Sequence, residues 1–111
     1  MAKGDWLGEF EMCVLLAVSQ LADDAYGMRV RQQIEGRTGR RVAIGAVYAT
    51  LARLEEQGLV VARVGEAQPI RGGRARKYFR LTGSGDRALA AATAMIKRMM
   101  AGWRPETARS H

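Results

Sequence analysis

AIGAVYATLARLEEQGLVVARVGEAQPIRGGRARKYFRL, residues 43–81, changes its hydrophobic period partway along. Over residues 43–57, Val47, Leu51 and Leu54 fall on one side of a helix and Ala49, Arg53 and Glu56 on the other, and Gly58 supplies a stop. Residues 59–64 are too few for another helix and rich in β-branched side chains. Over residues 74–81, Ala75, Lys77, Phe79 and Leu81 alternate with Arg76, Tyr78 and Arg80, the period of a strand. Between the two runs stands GEAQPIRGG, nine residues with three Gly and one Pro, so they read as an antiparallel hairpin closed by a long loop.

Upstream, Asp23 and Asp24 are good N-cap residues, Tyr26, Val30 and Ile34 follow at spacing four, and Gly39 is a stop, which predicts a helix over 25–38. Before it, Leu7, Phe10, Val14, Val18 and Leu21 form a stripe over 7–21 that Met12, Leu15 and Leu16 widen. A helix apolar around so much of its girth needs cover on more than one side, from its own domain and from a partner subunit. Downstream, Thr82 caps a last helix to about Trp103, in which Leu89, Ala92, Ile96, Met99 and Trp103 follow a 3-4-3-4 repeat. The tail RPETARSH is polar and expected to be loose. The predicted fold is mainly α with a small β-hairpin. Residues 1–81 form a winged helix-turn-helix of three helices and a two-stranded wing, residues 82–103 a C-terminal dimerisation helix, and residues 104–111 a tail.

A chain of 111 residues has room for one core. No apolar run approaches the roughly 18 residues needed to span a bilayer, and acids precede the first apolar stretch with no small-residue cleavage site, so the expectation is a cytoplasmic protein without a membrane partner. Eighteen Lys and Arg against eleven Asp and Glu give a net charge of +7, the balance of a protein that meets a polyanion. Cys13 is the single cysteine and His111 the single histidine, so one chain can assemble neither a disulfide nor a Cys/His zinc site. Cys13 reads as buried packing and Glu55 and Glu56 as solvated helix charges. No group of residues makes a catalytic constellation, so the reading is of a non-enzyme without a cofactor.

Three helices followed by a basic, glycine-rich hairpin is the order of a winged helix, in which the third helix enters the major groove of double-stranded DNA and the loop touches the adjacent backbone. Arg71, Arg74, Arg76, Lys77 and Arg80 fall within ten residues that contain no acid. Gly45, Ala46 and Ala49 let the third helix come close to DNA with the positive end of its dipole toward phosphate. Arg53 is placed to reach a base edge or a phosphate, and Arg40 and Arg41 to grip the backbone before the helix. Tyr48, on the flank, serves either a phosphate contact or packing. Leu7, Phe10, Leu89, Ile96, Met99 and Trp103 are the expected seam of a homodimer. The same basic wing also suits a non-specific architectural DNA- or RNA-binding protein, and a charged strand edge or a protein-interaction module are the blander alternatives.

AYGMRVRQQIEGRTGRRVAIGAVYATLARLEEQGLV, residues 25–60, followed by GGRARKYFRLTGSG, residues 72–85, resembles the PadR family of bacterial transcriptional regulators, and LGEFEMCVLLAV, residues 7–18, matches the family's opening helix. The resemblance implies a homodimer that recognises palindromic promoter DNA and represses, often until relieved by a small molecule. Two departures stand out. Ala43 replaces a Ser or Thr common before the third helix, and a single helix after the wing places the chain in the short branch of the family. Some short members sandwich flat aromatic ligands between paired tryptophans of that helix; the equivalent position here is Ile96, and Trp103, one heptad later, takes either dimer packing or a related role toward a small aromatic or hydrophobic effector.

Overall fold

A computed structural model describes residues 6–65 and 75–109. Among these the chain forms α1 (Glu9–Leu21), a 3-10 turn (Ala22–Asp24), α2 (Gly27–Thr38), α3 (Ile44–Glu56), β1 (Val60–Val64), β2 (Lys77–Leu81), α4 (Gly83–Met100) and a short α5 (Glu106–Arg109). The architecture is the expected one, mainly helical with one antiparallel hairpin. Val14, Leu15 and Val18 of α1, Val30 and Ile34 of α2, and Val47, Leu51 and Leu54 of α3 meet at its centre, with Val60, Phe79 and Leu89 closing the core from the hairpin and α4. Each such side chain contributes about 1.5–3 kcal/mol relative to exposure, so this contact of three helices dominates the stability of the chain.

The first helix begins two residues later than its apolar stripe, because Gly8 is its N-cap and donates its amide to the Glu11 carboxylate at 2.9 Å. The second helix also starts later than expected. Asp23 and Asp24 do not cap it; they sit in the 3-10 turn, and Asp24 instead pairs with Arg29 at 3.0 Å. The hairpin holds Ala25 and Tyr26 out of the helix: Phe79 donates its amide to the Ala25 carbonyl at 2.8 Å, and Tyr26, in extended backbone, bridges Tyr78. The wing thereby gains a third, one-residue rung beyond the β1–β2 ladder, whose register pairs Val60 with Leu81 and Val64 with Lys77. Gly39 ends α2 with φ 74°, the left-handed conformation expected of its stop. At the end of α3, Gly58 takes φ 76° and Leu59 donates back to the Leu54 carbonyl at 2.9 Å, a Schellman closure.

Thr82 caps α4 and does more. Its hydroxyl accepts from the Gly85 amide at 3.0 Å and donates to the Gly58 carbonyl at 2.6 Å, while its own amide donates to the Leu59 carbonyl at 3.0 Å. A Cβ on Gly85 would overlap the Leu59 carbonyl, so the first turn of α4 lies directly on the turn between α3 and β1. This placement divides the stripe expected to form a dimer seam. Leu89 is 7% exposed and belongs to the core of its own chain, whereas Ile96, Met99 and Trp103 are 40%, 76% and 59% exposed. Leu7 and Phe10 are half-buried against the core. The last helix ends at Met100, short of Trp103, where Gly102 turns left-handed with φ 81°. Within residues 104–111 the short turn α5 spans Glu106–Arg109.

Candidate nucleic-acid interface

On α3 the inward face is Val47, Leu51 and Leu54 together with Thr50, which is 2% exposed; Gly45, Ala46, Ala49 and Arg53 face outward. Burial of Thr50 has a use that spacing alone does not reveal: its hydroxyl accepts from Arg53 Nη2 at 3.2 Å and steadies the guanidinium along the helix. Tyr48 is half exposed, and its ring lies across Gly27 so closely that a Cβ there would overlap it. The glycine at the start of α2 is thus the floor on which the flank of α3 rests.

The turn between α2 and α3 is held by Glu35. Its carboxylate accepts from the Val42 amide at 2.9 Å and from Arg31 Nε at 3.5 Å. The Val42 amide, chiefly, and the charges of Arg31 and Arg41 hold this carboxyl below its ordinary value, against a smaller opposing effect of burial. Ala43, the N-cap of α3, makes no side-chain cap, so the backbone bond from Val42 to Glu35 is what secures the approach to the helix. Arg40 and Arg41 are exposed on this turn; Arg40 faces Glu9 at 3.8 Å, and Arg41 makes no ion pair among the described residues. With Ala46 they line one depression.

At the base of the wing, aromatic rings and guanidinium groups alternate. Arg76 stacks over Tyr26 at 4.2 Å, Tyr26 meets Tyr78 edge-on at 5.6 Å, and Arg63 lies over Tyr78 at 4.6 Å. Arg63 also donates to the Asp23 carbonyl at 3.3 Å. Sequence reading missed Arg63, because its partners lie 15 and 40 positions away along the chain. Lys77 pairs with Glu55 at 3.4 Å between the wing and the end of α3, and both side chains stay exposed. Arg80 is exposed. Arg71 and Arg74, with most of the expected loop, lie outside the described residues.

Arg40, Arg41 and Arg53 are thus exposed on the α2–α3 turn and α3, and Arg63, Arg76 and Arg80 are exposed on the hairpin. Among the described residues no group of three or more His, Cys, Asp or Glu could hold a metal ion, and no helix is long and apolar enough to cross a membrane.

Residues 14–91 match the family described as the transcriptional regulator PadR-like family. The transcriptional regulator Rv3488 of Mycobacterium tuberculosis is 39% identical over 67 residues, a match that spans 60% of this chain and 58% of that relative. A PadR-like transcription factor from Bacteroides fragilis has a similar structure, with TM-score 0.70 and 28% identity over 81% of this chain and 82% of that one. A PadR family transcription regulator from Clostridium difficile R20291 has TM-score 0.68 and 25% identity over 84% and 95%. The core from Val14 to Leu89, α3 and the hairpin all fall within the matched span, and the chain belongs to the PadR-like family of transcriptional regulators.

Proposed function

We propose that this chain acts as a homodimeric, sequence-specific repressor that binds a palindromic promoter operator, with α3 in the major groove and the wing on the adjacent backbone. The carrying observation is the outward face of α3: Gly45, Ala46 and Ala49 project little beyond the helix, and Arg53 stands beside them. A major groove about 12 Å wide admits such a helix with its backbone close to the bases. Arg40 and Arg41 at its approach, and Arg71, Arg74, Arg76 and Lys77 of the wing, supply phosphate contacts. Tyr48 presents its hydroxyl from the flank. Residues 1–81 serve recognition and residues 82–103 dimerisation, with residues 104–111 a tail. Ile96, Met99, Met100 and Trp103 at 40–76% exposure are more apolar surface than one helix end leaves to water in a stable monomer, and pairing across a two-fold axis covers them together with Leu7 and Phe10 of α1. The chain works in the cytoplasm, and a small apolar or aromatic effector relieves repression.

The test is the ratio of affinities for the DNA upstream of the protein's own gene and for a scrambled duplex at one salt concentration. A ratio of about 10³ or more supports an operator-specific regulator. A ratio near one, with strong salt dependence for any duplex, makes the protein a non-specific nucleic-acid binder and overturns the proposal.

A further inference from the structure

Phe79 points from β2 into the core, so strand alternation turns Tyr78 and Arg80 to the outer face of the hairpin. Arg63 stands opposite Tyr78 on β1, and Tyr26 bridges Tyr78 from the other side, which sets Arg63, Tyr78 and Tyr26 in one row across the ladder. The pairing continues past β2: the Arg76 carbonyl accepts from the Gly65 amide at 2.7 Å, and Arg76 falls on the same face two residues before Tyr78. The stack from Arg76 through the two rings to Arg63 is therefore fixed by strand register.

Its two ends differ. Arg63 is committed twice, over Tyr78 and to the Asp23 carbonyl, and a Cβ on Gly65 would overlap the Tyr78 ring that Arg63 covers. Arg76 has the Tyr26 ring at 4.2 Å and makes no ion pair among the described residues. Asp24, whose charge reaches it, is held by Arg29 at 3.0 Å. One guanidinium is an anchor, and the other is set in place with its charge uncompensated.

We propose that Tyr26, backed by Tyr78 and Arg63, is a positioning residue for DNA binding: its ring holds the Arg76 guanidinium ready for a backbone phosphate, and Arg63 anchors the stack without touching phosphate itself. This role rests on the reading that the wing meets the duplex backbone. It gives the N-cap residue of α2 a part in the affinity of the wing. A free arginine loses side-chain freedom when a phosphate fixes it, and a ring that fixes it beforehand removes that cost from binding. Apolar bulk at position 26 does not suffice, because the attraction comes from the charge distribution of an aromatic face.

Tyr26→Leu keeps the backbone rung and much of the bulk but removes the ring. It should weaken duplex binding by the intact protein about fivefold. The slope of log affinity against log salt should stay as it is, because the number of phosphate contacts is the same. In an Arg76→Ala background the same change should cost nothing further. Tyr26→Phe should restore the affinity that Tyr26→Leu loses, and Arg63→Ala should weaken binding at constant slope. Without DNA, the ring current of Tyr26 should move the Arg76 Nε proton upfield in the NMR spectrum of the unmodified protein, a reading that needs no variant to fold. Tyr26→Phe should keep that shift and Tyr26→Leu abolish it. An unshifted Arg76 signal overturns the proposal, and so do losses in Tyr26→Leu and Arg76→Ala that multiply in the double variant, the behaviour of a merely structural tyrosine. A slope reduced by about 0.9 in Arg63→Ala would make that residue a phosphate contact and overturn its place as anchor. Failure of the unmodified protein to bind any duplex would sink the DNA reading, while the ring-current shift would still decide the stack.

Discussion

Two arginines with the same charge make different predictions because their neighbours differ. Arg76 is stacked on Tyr26 at the base of the wing, so its guanidinium is already oriented and loses little freedom on meeting a phosphate. Arg76→Ala is expected to weaken binding to all duplexes alike and to reduce the slope of log affinity against log salt by about 0.9, as for one lost phosphate contact. A changed sequence preference at constant slope would make Arg76 a base reader. Arg53, bonded to Thr50, lies along the exposed face of α3. That face is tested by bulk instead of charge: Ala49→Leu points away from Val47, Leu51 and Leu54, so thermal stability should shift by no more than about 0.5 kcal/mol while operator binding disappears. Full affinity in the folded variant, measured by anisotropy, would move the recognition surface off α3.

Elements defined by local signals were readable from the chain, and elements defined by distant partners were not. The inward face of α3, the left-handed stop at Gly39 and the Thr82 cap depend on residues within four positions of one another, and each stands where spacing puts it. The start of α2 does not. Two aspartates ahead of an apolar repeat look like caps, yet the bond from Phe79 to Ala25 pulls the segment into the hairpin, and no local signal announces a partner 54 positions on. Glu35 was passed over for a similar reason, since a lone glutamate in a helix reads as a solvated charge until the backbone of Val42 folds against it. Its role gives a pH dependence whose sign is fixed. The carboxyl is held below its unfolded value, about 4.3, so its stabilisation is complete above that pH and is lost as pH falls through the lower folded value. Glu35→Gln should accordingly be less stable than the unmodified protein near pH 7, and the difference should shrink below about pH 4. Urea midpoints across that range measure it, and a gap independent of pH would remove Glu35 from the turn's support. Leu89 marks the limit of periodicity: a 3-4-3-4 repeat shows that a stripe is apolar, not whether its own chain or another covers each part.

At the scale of the molecule, the exposed end of α4 sets the expected assembly. In the proposed dimer Ile96→Asp would place a carboxylate where two copies of the helix meet, so burial and repulsion from its mate would both oppose pairing. The variant is expected to sediment as a monomer at tens of micromolar and to lose operator binding, with every DNA-facing residue intact; normal dimers would place the seam elsewhere. The junction at Thr82 carries a further consequence. Gly58, Leu59, Thr82 and Gly85 are bonded and packed so closely that α4 leaves the recognition unit at a set azimuth. An α-helix advances 1.5 Å and turns about 100° for each residue, so one alanine inserted between Leu89 and Ile96 swings the exposed stripe a quarter-turn and more around the axis while leaving the wing untouched. Dimers re-formed through that stripe would carry their recognition helices out of phase with a palindrome of the original spacing. In the proposed dimer the helix would in this sense be a ruler with angular marks, and the half-site separation would be written in its residue count.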